Sequence, residues 1–173
     1  MSRPGPTRAR RLSVLVAGAA ALIGPAAPSG AAGAHAVPSC LRGTWREVGE
    51  VERDSYAGQP FTLRGDAGRT LTVSAAGREV ASYAHAAPLR GVVAGRPYVV
   101  RLRGRIVYTL AVHADTIDFL TTRPESLRVT ATYSGRTVTL GAPSSTAPVT
   151  FTCSARRLVQ SGGGYRGTFV RVG

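Results

Sequence analysis

Lysine is absent from this chain of 173 residues: all 22 basic side chains are arginine. With the high Ala and Gly content, that points to the bias of a high-GC genome rather than to a functional choice. Cysteine is nearly absent too. The chain holds two, Cys40 and Cys153. They are far apart, which excludes the close C-x-x-C spacing of a redox pair. Tryptophan occurs once, at Trp45, and aromatic residues make up only 6% of the chain. The arginines therefore lack the interleaved aromatics of a nucleic-acid stacking platform. Beyond residue 36 no apolar run approaches the roughly 20 residues of a spanning helix. No Pro/Ser-rich linker divides the chain, and no segment carries helical periodicity.

What is present begins with a leader. Arg3, Arg8, Arg10 and Arg11 form a basic start, Leu12 to Ile23 is apolar, and Ala34-His35-Ala36 is a small-residue cleavage signal. Ala32-Gly33-Ala34 fits the same pattern, so the predicted cut falls after Ala34 or Ala36. The predicted organisation is a secretory signal peptide over 1–36 and one domain over 37–173, exported and extracellular. In an exported protein, two cysteines are most simply one disulfide. Bridging Cys40 to Cys153 closes a loop that the chain-entropy picture values at about 4–5 kcal/mol. A minor reading makes Cys40 a lipid-anchored residue of a loose lipoprotein box. Pro38 and the distance from the apolar stretch oppose it.

Period-2 alternation and turn residues recur through the rest. Predicted strands are 41–51, 70–74, 78–84, 98–103, 106–113, 116–121, 127–133, 136–140, 149–155 and 165–172. Weaker strands are predicted at 61–64, 89–93 and 158–160, and a mobile piece at 141–148. Hairpins over Arg103-Gly104-Arg105, Ala114-Asp115 and Ser134-Gly135 would put one apolar set on one face. They pair Leu102 with Ile106, Leu110 with Phe119 and Ala131 with Val138. The expected fold is all-β: an antiparallel up-and-down meander of about eight or more strands closing into a barrel, with a β-sandwich as the alternative.

Gly43-Thr44-Trp45 on the first strand resembles the G-x-W signature of lipocalins and their calycin relatives. More closely, C-L-x-G-T-W near the start with F-T-C-S near the end is similar to small secreted lipocalin-like domains of high-GC bacteria. The resemblance implies a lipocalin-like barrel closed at one end by Trp45. An arginine of the last strand would stack on that ring; Arg171 is the matching position, with Arg166 next. No T-D-Y-type second motif and no helix between the last strands accompany it. It also implies a non-catalytic container for a small hydrophobic or amphipathic ligand. Tyr83, Tyr98, Tyr108 and Phe119 are the candidates to line its pocket.

Candidate chemistry is sparse. His113 and Asp115 with Asp118 cluster at a turn, where solvated polar residues are the expected reading. Ser55, Ser82 and His85 lack a nucleophile elbow. Glu47, Glu50, Glu52 and Asp54 could supply paired carboxylates, but an exposed alternating strand edge accounts for the same run, with Glu47 and Arg46 as outward ion pairs. Ser161-Gly162-Gly163-Gly164 precedes no helix and reads as a turn. No catalytic residue, metal or cofactor is expected, and a hydrolase or isomerase is the reading with least support. After the leader, 18 arginines face 9 acidic residues, a net of +9. That excess suits either a solvated outer face or an anionic envelope polymer, the latter making the protein a basic envelope-associated partner with a filled barrel.

Overall fold

Alternation becomes strand along most of the chain. The computed structural model describes residues 36–56, 58–142 and 147–172. Residues 1–35, the bulk of the predicted leader, and residues 143–146, part of the predicted mobile piece, lie outside the described residues. Eleven strands follow one another: β1 (Gly43–Tyr56), β2 (Gln59–Gly65), β3 (Thr70–Val73), β4 (Arg78–Ser82), β5 (Leu89–Val93) and β6 (Arg96–His113). Then come β7 (Thr116–Tyr133), β8 (Arg136–Leu140), β9 (Val149–Cys153), β10 (Arg157–Gly162) and β11 (Tyr165–Arg171). There is no helix among the described residues, and hence none long and apolar enough to cross a membrane.

All pairings are antiparallel within one sheet. Eight strands close a ring in the order β1-β3-β4-β6-β7-β9-β10-β11 and back to β1. The three others are added where long strands outrun the ring. β1 pairs with β3 through Gly43–Arg46 and then with β2 through Glu50–Tyr56. β6 pairs with β5 through its first half and with β4 through its second. β7 meets β9 near its start and β8 near its end. Long strands that change neighbours along their length thus make a barrel-like ring with a sheet extension beyond it.

The registers Leu110↔Phe119, Val112↔Ile117 and Ala131↔Val138 are those expected from the Ala114-Asp115 and Ser134-Gly135 turns. The hairpin expected at Arg103-Gly104-Arg105 does not form. β6 runs straight through it, and Leu102 faces Val129. The turn lies instead at Ala94-Gly95, both at positive φ (48° and 75°). Gly104 has φ 99°, and a Cβ there would collide with the carbonyl oxygen of Ser126. The glycine marks a close strand approach beside a register shift, a known use of glycine inside strands. Opposite, Pro124 sits in β7 at that irregularity, where a missing N–H is tolerated.

Trp45, Phe169, Leu41, Leu71, Ile106, Ile117 and Leu158 are fully buried, each aliphatic worth about 1.5–3 kcal/mol. Most of this core lies at the end of the ring where β1 starts and β11 finishes. The segment before β1 ties across that end: Val37 and Leu41 join the core cluster, and Trp45 Nε1 donates to the Leu41 carbonyl at 2.9 Å. Cys40 and Cys153 are disulfide-bonded, a sequence separation of 113. Cys40 therefore has no free thiol to carry a lipid.

Candidate functional site

The Trp45 end is built around a guanidinium. Arg171 lies over the indole at 4.2 Å. Its Nη1 and Nη2 donate to the carbonyls of Arg42 and Cys40, both at 2.7 Å, and its Nε to that of Ala155 at 2.8 Å. Gly43 has φ 114°, and a Cβ on it would meet Arg171 Nη1. A glycine two residues before the tryptophan is what lets the guanidinium reach its carbonyls. This end of the ring is filled.

Further up, the interior turns polar. On β1, alternation points Trp45 and Glu47 inward. A bulge between Glu47 and Gly49 then shifts the phase by one, leaving Val48 exposed and turning Glu50 inward, with Glu52 following on the same phase. Glu47 is 1% exposed. The expectation of an outward Glu47–Arg46 ion pair is therefore overturned: with the alternation keeping Trp45 inside, Glu47 is inside as well, and its partner is Arg69. The turn between β2 and β3 supplies that arginine. Glu47 N–H donates to the Arg69 carbonyl (2.8 Å) and Gly68 N–H to the Glu47 carbonyl (2.9 Å), which fastens the turn to the bulge.

Arg69 is the hub. Its guanidinium meets Glu47 Oε2 at 2.8 Å, Glu50 Oε2 at 3.1 Å and Asp66 Oδ2 at 3.5 Å. Nη1 donates to Tyr83 Oη at 3.2 Å and Nη2 to Tyr165 Oη at 2.8 Å. The rings of Tyr83, Tyr165 and Phe169 stand 5.4–5.7 Å from its central carbon, within cation–π range. Gly167 makes room for this: a Cβ there would strike the Tyr165 hydroxyl and come within 2.8 Å of Glu47 Oε1. Glu47, Glu50 and Asp66 each offer an oxygen within 4.8 Å of the others, a grouping that could hold a metal ion. The guanidinium already supplies the positive charge such an ion would bring.

Above the hub lies a cavity of about 340 Å³. Leu71, Ala81, Leu89, Leu102, Phe119 and Val149 form its apolar wall; Glu50, Glu52, Glu79, Tyr83, Tyr108, Gln160 and Tyr165 form the polar one. Its lining runs out to the exposed Ala147 and Gly163, the latter in the turn between β10 and β11. Of the sequence-predicted pocket residues, Tyr83, Tyr108 and Phe119 line it, the last two with ring centroids 5.0 Å apart. Tyr98 stands apart in the sheet extension, edge-on to Phe61 and Tyr133 at 6.4 and 6.2 Å. His113 lies at the β6–β7 turn, 3.8 Å from Asp118 with both side chains exposed, outside the cavity.

Burial governs the chemistry. It pushes Glu47 up to about 7 and Glu50 up to about 9, against the opposing pull of Arg69 and with neighbouring carboxylates adding to the rise. Asp66 and Glu52 are raised for the same reason. Glu79, on β4 opposite Tyr108 of β6, is 3% exposed and is also pushed up to about 7 by burial. Its Oε2 has no hydrogen-bond partner among the described residues, and neither does Gln160 Nε2. Burial likewise raises Tyr83 to about 12 and Tyr108 higher still, so both stay protonated. A carboxyl titrating near neutrality can move a proton. No serine, cysteine or histidine lines the cavity among the described residues, so the titratable groups that face it are carboxyls, tyrosines and Arg69.

Glu79 and the interior-facing glutamates are what sequence reading missed. The local signal was period-2 alternation from Trp45, which already carries Glu47 to the inner face. Compared with family models, curated proteins and solved structures, the chain finds no match in any of the three.

Proposed function

We propose that this protein is an exported, non-catalytic container that holds a small amphipathic molecule inside its strand ring. The carrying observation is the half-apolar, half-polar cavity of about 340 Å³ above a filled, disulfide-tied end. Pockets of this kind bury a ligand's apolar body and orient it through a few convergent polar groups. The G-x-W resemblance supports the same reading, as does the disulfide, which suits an oxidising compartment. Native mass spectrometry of the exported protein, compared with its denatured mass, should show a non-covalent adduct below about 1 kDa, a size consistent with such pockets. A native mass equal to the bare chain, together with no uptake of amphipathic probes, would end the proposal.

A second reading rests on Glu79, a carboxyl raised to about 7 in an open cavity: proton-transfer catalysis. Turnover of the recovered ligand, abolished by Glu79→Gln, would favour it; ligand recovered unchanged after long incubation opposes it. A third concerns the outside. Five of the nine acidic residues (Glu47, Glu50, Glu52, Asp66 and Glu79) face the interior, so the outer surface is more basic than the composition suggests. That favours attraction to anionic envelope polymers, read out as salt-dependent release from cell-wall preparations.

A further inference from the structure

We propose that the molecule this cavity takes is a small organic cation, an ammonium head on an apolar body, with its N–H groups received by Glu79. This rests on reading the cavity as a binding site, and it adds the ligand's charge. Among the described residues, five carboxyl groups surround the interior against a single guanidinium. That guanidinium is already held by Glu47, Glu50 and Asp66, and by the hydroxyls of Tyr83 and Tyr165. It has no share left for an anionic ligand. An anion would also enter a desolvated site of its own sign, where repulsion is least screened.

Glu79 makes the unmet demand specific. It stands outside the Arg69 hub, 97% buried, lines the cavity, and among the described residues leaves Oε2 without a donor. A buried acceptor left unpaired is costly, and a donor from a ligand removes that cost. Tyr108, opposite Glu79, and Phe119 beside it give aromatic surface next to the head group, the arrangement that recognises organic cations. Leu102 and Val149 continue the apolar wall for the body. Gln160 Nε2, also buried and without a partner among the described residues, suits an oxygen acceptor on the same ligand.

The test is isothermal titration of the folded, oxidised chain with three compounds of one shape: 2-phenylethylammonium, 2-phenylethanol and 3-phenylpropanoate. At about pH 8, above the value at which Glu79 titrates, the cation should bind about tenfold or more tightly than the alcohol, as a charged hydrogen bond warrants. The carboxylate should not bind. Glu79→Gln, which keeps the shape but replaces the carboxylate by a neutral amide with one acceptor oxygen, should erase the cation's advantage and leave the alcohol within about twofold. The wild-type series carries the test even if the variant folds poorly. Equal affinity for alcohol and cation, preference for the carboxylate, or a cation advantage that survives Glu79→Gln overturns the cationic assignment while leaving a container. Binding of none of the three, with a bare native mass, overturns both.

Discussion

Arg69 shows how one side chain can hold a polar interior together. It neutralises part of a carboxylate cluster that burial would otherwise force to protonate. Removing one partner of a buried charge network typically costs about 3–5 kcal/mol, because the partners left behind are uncompensated. Arg69→Leu should lose that much in urea unfolding at pH above the range of Glu47 and Glu50, and clearly less near pH 5, where the orphaned carboxyls can take up protons. A loss that does not vary with pH would contradict the hub. Gly167 is the second sensitive residue, since a methyl there falls on Tyr165 and Glu47. Gly167→Ala should destabilise by about 1–3 kcal/mol through overpacking and shift the tyrosine absorbance of Tyr165; an unchanged spectrum and midpoint would refute the contact.

At the scale of the element, irregularities position the site. The bulge in β1 converts one acidic run into an inward-facing pair of positions, Glu50 and Glu52, by shifting the strand's phase. A slip of one residue moves every later side chain to the other face. The register of the Ala114-Asp115 and Ser134-Gly135 hairpins was legible because local turns and alternating apolar residues specify it together. The continuity of β6 was not, because Gly104 looks like a turn residue until its neighbour is known. What it accommodates is the backbone of β7, with φ at 99°. Gly104→Ala should therefore cost about 1–3 kcal/mol, seen as a lowered thermal midpoint. A neutral substitution would show that β6 bends there instead.

At the scale of the whole molecule, charge is unevenly placed: five of the nine acidic residues face the interior, and among the described arginines Arg69 is the buried one. In the folded state Glu47 and Glu79 titrate near 7 and Glu50 near 9, against an ordinary 4.5. Between those values the folded chain binds more protons than the unfolded one. Stability must therefore fall as pH rises through that window, and it is fully present only below it. Calorimetry should find the thermal midpoint lower at pH 9 than at pH 5; a flat or rising profile would mean the carboxyls are solvated. The disulfide acts at the same scale. Replacing Cys40 and Cys153 by serine should remove about 4–5 kcal/mol by freeing a long loop in the unfolded chain, measured as a lowered urea midpoint. An unchanged midpoint would locate the constraint elsewhere.

The all-β class, the pairing of the only two cysteines, and two hairpin registers are legible in the residues alone. So is the Gly43-x-Trp45 frame with its nominated Arg171. These follow from local periodicity, turn chemistry and scarcity, which need no knowledge of distant neighbours. What the residues alone leave open is the meeting of Glu47 with Arg69, the inward turn of Glu50, the lack of a donor to Glu79 Oε2 among the described residues, and the place of Tyr98 outside the cavity. Those outcomes depend on a bulge and on long strands that change partners. Pairing across the ring sets both, whereas the alternation along one strand is the same either way.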